Sequence, residues 1–249
     1  MKTKVIPTEK FLKNVPFIEE VHIKDGLAIL LDNQSQAFDV IRNKLDDIET
    51  VTNCIINKIK THSKTRIIYA GAGTSARIGV QDGVELYPTF GWPTDQVAFI
   101  IAGGLSALTR SKENSEDDEN DAEFQVKTTN INQNDIVIGI AASGNTPFTK
   151  KVIEISRLNG ALTIAISNNP KGKIVTEADY NIILDTGGEI LTGSTRLKAG
   201  TSQKICLNLI STIVMAKLGF VKKNMMSNLI ASNKKLRIRN KKINKAISL

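Results

Sequence analysis

Cysteine and histidine are nearly missing from this 249-residue chain. Cys54 and Cys206 are far apart, and each sits in an apolar, helix-like pattern. Neither a disulfide-built scaffold nor a thiolate metal cluster fits that spacing; two reduced thiols in a cytoplasmic protein do. His22 and His62 lie outside every motif described below. No apolar run approaches the ~18 uncharged residues a membrane span needs, and no segment reads as a cleavable signal peptide. The lysine-containing phosphate loop of nucleotide hydrolases is absent. Gly71-Ala72-Gly73 lacks the third glycine of a dinucleotide fingerprint, which argues against nucleotide chemistry. There is no internal repeat and no low-complexity stretch.

The net charge of +8 is unevenly placed. Lys234, Lys235, Arg237, Arg239, Lys241, Lys242 and Lys245 supply seven positive charges with no acid between them, leaving 8 − 7 = +1 for the rest. Such a tail reads as a solvated basic helix rather than as a nucleic-acid or membrane site. Acids are bunched too: Glu113, Glu116, Asp117, Asp118, Glu119, Asp121 and Glu123 are interrupted by no basic residue. By composition alone this is a solvated loop or a helix amino terminus.

A hydrophobic content of 41% over this length can bury a full core in one large α/β domain. Ile41, Leu45, Ile48, Val51, Ile55 and Ile59 recur at spacings of three and four, and the first sixty or so residues read as helical. Short apolar runs follow at 66–70, 96–101, 136–141, 162–167 and 180–184, separated by helical patterns. Strands apolar on both faces belong inside a parallel sheet. A long apolar helix is expected over Thr192–Leu218. The resulting division is an N-terminal helical segment (1–62), a sheet domain (63–222) and a basic helical tail (223–249).

Two loops stand out. Ala70-Gly71-Ala72-Gly73-Thr74-Ser75 and Ala142-Ser143-Gly144-Asn145-Thr146-Pro147 each follow a strand-like run and open a helix-like one. Glycine lets the backbone approach an anion, helix-terminal N–H groups point at it, and hydroxyls add uncharged donors. Ligands of open parallel sheets bind outside the carboxyl ends of strands, where both loops fall. A neutral cradle of this kind suits the single phosphate of a sugar phosphate.

These runs resemble a known family. Gly71–Ser75, the segment Glu85-Leu86-Tyr87-Pro88-Thr89-Phe90-Gly91, Ile101–Gly104, Gly139–Gly144, and above all Glu189-Ile190-Leu191-Thr192-Gly193-Ser194-Thr195-Arg196-Leu197-Lys198-Ala199-Gly200-Thr201 look like the N-acetylmuramic acid 6-phosphate etherases. The resemblance runs from about Arg66 to about Leu236. It implies the sugar isomerase (SIS) fold, a three-layer α/β arrangement with a five-stranded parallel sheet flanked by helices, working as a homodimer with the site near the subunit interface. The implied reaction splits the D-lactyl ether of N-acetylmuramic acid 6-phosphate into N-acetylglucosamine 6-phosphate and D-lactate, in peptidoglycan recycling, without metal or organic cofactor.

In that chemistry a base removes the C2 proton beside the C1 aldehyde of the open-chain sugar. An acid protonates the departing C3 ether oxygen, and water then adds back; two glutamates can cover the cycle. By the resemblance, Glu85 matches the proton donor and Glu116 the C2 base. Gly73, Thr74, Ser75, Ser143, Gly144, Asn145, Thr146, Ser194 and Thr195 are the expected substrate contacts. Glu85 stands ten positions beyond Ser75, which is ~15 Å along a helix, so it is expected to act across a subunit interface. Asn145 stands where the family usually has arginine, and Ala76 where it usually has glycine. The family's amino-terminal Arg-Arg-Asn-Pro type of motif is absent, and relatives continue beyond the basic tail. Two other readings share the cradle: a non-catalytic sugar-phosphate regulator similar to the glucokinase regulatory protein, and a sugar-phosphate isomerase.

Overall fold

The structure, a computed structural model, describes residues 6–110, 112, 114–231 and 234–248; Glu113 of the acidic run lies outside them. Five parallel strands form one sheet: β1 (Ile67–Gly71), β2 (Val97–Ile101), β3 (Ile136–Ala141), β4 (Leu162–Ser167) and β5 (Tyr180–Ile183). Their order is β2-β1-β3-β4-β5. The chain thus runs outward from β1 to β2, crosses back to β3 and continues the other way. A topological switch point results between β1 and β3, which pair in register from Ile67↔Ile136 to Gly71↔Ile140.

The strands alternate in size as well as in facing. Ile67, Tyr69, Ile136, Ile138, Ile140, Ile164 and Ile166 point to one layer. There α1 (Ile23–Arg42), α2 (Leu45–Thr61), α3 (Gly73–Val84) and α8 (Lys198–Lys217) pack, with α8 touching the other three. On the other face the strands offer smaller groups, among them Ala70, Ala141 and Ala165. This lets α5 (Glu119–Thr129), α6 (Pro147–Leu158) and α7 (Lys173–Glu177) come close. Any side chain at Gly139 would collide with Ile153 of α6. Small-on-one-side strands set the distance between layers.

Local differences from the sequence reading have local causes. The helical spacing from Ile41 to Ile59 spans two helices, because Asn43 and Lys44 leave the helical ladder between α1 and α2 while keeping the apolar side chains in phase. Residues 10–22 are not helical, and a single 310 turn covers Pro7–Glu9. The helix expected from Thr192 begins only at Lys198. The acidic run is put to use: the Asp118 carboxylate accepts the Asp121 N–H at 2.9 Å and caps α5, whose first turn also holds Glu119. After a short α4 (Leu86–Phe90), the chain turns at Gly91 in the left-handed region. A two-stranded hairpin of β6 (Val221–Lys222) and β7 (Met225–Met226) straddles position 222, and the basic tail forms α9 (Lys234–Ser248) with Ile243 buried. Among the described residues no helix is long and apolar enough to cross a membrane.

Candidate functional site

The two small-residue loops leave β1 and β3 side by side at the switch point, the position where open α/β sheets bind ligands. A cavity of about 330 Å³ opens there, lined by Gly73, Thr74, Ser75, Ser143, Thr146, Gly193 and Thr195, by the backbone around Ala72 and Ala141–Ala142, and by two carboxylates, Glu9 and Glu116. A larger hollow of about 490 Å³ beside Glu123, Lys127 and Asn159 sits at the far ends of α5 and α6, away from both loops.

Each wall has a structural reason. Ala72 is extended and Gly73 takes φ +53°, so α3 starts abruptly at the strand end with its free N–H groups directed at the cavity. In the second loop Gly144 has φ +67°. A Cβ there would lie 2.5 Å from Ser167 Oγ and 2.6 Å from Gly172 Cα, so only glycine lets the loop nest against the α7 turn. The Asn169 amide donates to the Ser143 carbonyl at 2.8 Å, and the Asn145 N–H donates to Ser143 Oγ at 3.2 Å. Thr146 is the N-cap residue of α6 and Pro147 its first residue. Thus two twelve-residue helices direct their amino termini into one cavity.

The third wall is the loop before α8. Glu189 is fully buried, and its two carboxylate oxygens accept the N–H groups of Lys198 (3.1 Å) and Ala199 (2.8 Å). A side chain therefore already satisfies the amino terminus of α8, which is why that helix begins at Lys198. Burial lowers the Lys198 pKa, opposed by the neighbouring charges of Glu189 and Asp185, and its ammonium donates to Gln36 Oε1 of α1 at 2.9 Å.

Of the residues expected in the site, the structure gathers Gly73, Thr74, Ser75, Ser143, Thr146, Thr195 and Glu116 around one cavity. Ser194 is passed over in favour of its neighbours Gly193 and Thr195. Gly144 and Asn145 support the site from behind rather than line it: the Asn145 side-chain Oδ1 accepts the Lys173 N–H at 3.1 Å, at the start of α7. Glu85 lies at the opposite end of α3 as its C-cap residue, exposed and outside the cavity of its own chain. That helix spans about 18 Å. Glu9 was not anticipated. Among the described residues no lysine, arginine or histidine lines the cavity.

Comparison with known proteins gives the family and the fold. The description "SIS domain" matches residues 106–213, and "Glucokinase regulatory protein N-terminal SIS domain" matches residues 48–157. The N-acetylmuramic acid 6-phosphate etherase of Bacillus cereus (strain AH187) is 42% identical over 226 residues, covering 91% of this chain and 76% of that protein. The protein of the same name from Deinococcus radiodurans is 40% identical over 217 residues, covering 87% and 70%. Two solved structures share the fold: one from Bacteroides fragilis NCTC 9343 (TM-score 0.62, 20% identity, 82% of this chain and 95% of that one) and a phosphoheptose isomerase from Francisella tularensis (TM-score 0.59, 13% identity, 79% and 100%).

Proposed function

The chain belongs to the N-acetylmuramic acid 6-phosphate etherase family, and from that premise we propose how its cavity carries out the family's chemistry. The protein is a carbon–oxygen lyase that cleaves the D-lactyl ether of N-acetylmuramic acid 6-phosphate, giving N-acetylglucosamine 6-phosphate and D-lactate. The observation that carries the reading is the polarity of the cavity: helix amino termini and hydroxyls on one side, a carboxylate on the other. The phosphate sits at the starts of α3 and α6, among Thr74, Ser75, Ser143 and Thr146, where partial positive charge and N–H donors converge. The sugar then extends toward Glu116, which takes the C2 proton. The resulting anion next to the aldehyde expels the C3 oxygen as an acid protonates it, and water adds back at C3.

Glu85 is that acid in our reading, supplied by a second copy of the chain. Its distance from the cavity along α3 supports this. Val84, next to it, and Tyr87, two residues on, are 51% and 43% exposed, and Ile23, Leu27 and Leu31 form an exposed apolar stripe on α1, both fitting a covered surface. The protein acts in the cytoplasm as a homodimer.

D-lactate release from N-acetylmuramic acid 6-phosphate by the purified protein tests this reading. Removing a general base or acid costs roughly 10²–10⁴ in rate, so Glu116→Gln and Glu85→Ala should each lose at least a hundredfold. A mixed dimer of Glu85→Ala and Ser143→Ala subunits should recover activity, because one of its two sites is intact. Binding of the sugar phosphate without any lactate release would instead favour a regulatory role, the reading that the match of residues 48–157 to the glucokinase regulatory protein description keeps in view.

A further inference from the structure

The segment before α1 forms part of the cavity wall. Pro7–Glu9 make one 310 turn, Thr8 is completely buried, and the following residues run over the 187–193 loop. Two glycines of that loop make the contact possible. A side chain at Gly188 would collide with the Lys10 carbonyl, and a Cβ at Gly193 (φ +76°) would stand 2.9 Å from Glu9 Oε2. Glu9, an exposed residue, thereby lies at the rim of the cavity, and among the described residues its carboxylate makes no hydrogen bond and no ion pair. An acceptor-only group is thus placed, unpartnered, in a site whose lining apart from Glu116 offers N–H and hydroxyl donors.

We infer that Glu9 is a substrate-binding residue, whose carboxylate accepts hydrogen bonds from the ring hydroxyls or acetamido N–H of the sugar phosphate and so fixes which way round it lies. The inference rests on the proposed function for the identity of the sugar. The phosphate is a dianion and is repelled by Glu9 and Glu116, while the hydroxyls and the amide N–H are the donors that a carboxylate takes up. The two carboxylates therefore confine the phosphate to the helix amino termini and turn the sugar ring toward Glu116. Glu9→Gln keeps the shape and removes the charge.

Titration calorimetry of the full chain with two probes, N-acetylglucosamine 6-phosphate and inorganic phosphate, tests this. Hydrogen bonds to charged acceptors are the stronger kind, so Glu9→Gln should weaken the sugar phosphate about tenfold or more while inorganic phosphate binds as before or more tightly. Equal weakening of both probes would mean that Glu9 only seats the segment, and unchanged sugar-phosphate affinity would mean that it touches nothing; either result overturns the inference. Wild-type protein that binds phosphate but not the sugar phosphate would overturn the proposed function along with it. Wild-type binding with no effect of Glu9→Gln would leave that function standing and remove Glu9 alone.

Discussion

Replacing Glu189 by glutamine changes one atom and should cost a large part of the fold's stability. Both oxygens of this buried carboxylate are committed, one to the Lys198 N–H and one to the Ala199 N–H. Glutamine keeps one acceptor and aims an NH2 group at the other donor, so one charge-assisted hydrogen bond, about 1.5–3 kcal/mol, is lost and one N–H is left unpaired. The negative charge at the start of the twenty-residue α8 disappears as well, at about 0.3–2 kcal/mol. Relief from burying an ion offsets part of this, and a net loss of about 2–4 kcal/mol remains. For a chain of this length that is a fall in Tm of about 5–15 °C. Urea unfolding followed by circular dichroism would register it as a lower midpoint with an unchanged slope. A loss below about 0.5 kcal/mol, the range of ordinary surface changes, would refute the claim that Glu189 holds the start of α8.

Two further outcomes are expected. Gly144→Ala places a Cβ against Ser167 Oγ and Gly172 Cα at a residue with φ +67°; strain and overpacking together should cost about 3 kcal/mol or more, and an unchanged urea midpoint would contradict the close nesting described here. The Tyr69 hydroxyl donates to Asp82 at 2.8 Å, and complete burial, then the Asp82 charge, then that hydrogen bond push its pKa well above 10.0. The folded state therefore keeps a proton that the unfolded chain releases above about pH 10. Stability should be intact below that pH and fall as pH rises beyond it. Tyr69→Phe should flatten the fall in urea midpoints from about pH 9 to about pH 11, a range that brackets the ordinary tyrosine pKa.

How much of this was legible in the residues depends on how local the governing interaction is. The strands were readable because each is a short apolar run ending at small residues, and the sheet class follows from their being buried on both faces. Thr74, Ser75, Ser143 and Thr146 were legible as candidate cavity residues because glycine and hydroxyls at a strand end mark either a turn or an anion cradle, and the structure places all four around one cavity. The break at Asn43–Lys44 was not, because the two-residue step preserves the apolar phase on both sides. Nor was the late start of α8: it depends on Glu189, nine residues before Lys198, folding back onto the helix. Glu9 left the faintest trace, a Pro-Thr-Glu turn. Its meaning comes from Gly188 and Gly193, 179 and 184 residues further along the chain. Glu85 is a case of another kind, where the motif is plain but one copy of the chain keeps it apart from the cavity.

Among the described residues the cavity is lined by no fixed cation, and for the proposed chemistry this has a consequence for turnover. Substrate, reacting intermediate and sugar product all carry the same phosphate, so whatever holds that group holds all three alike and contributes nothing to the speed of bond breaking. A lysine or arginine clamp would lengthen the stay of the spent sugar. In the proposed reading, helix ends and hydroxyls align the ring, and the two nearby carboxylates keep that hold from becoming a trap. On the same reading, binding that discriminates between states falls to the carboxylate wall, where the bonds change, and the lack of charge that first marked the cradle as something other than a nucleotide site would ease departure of the product.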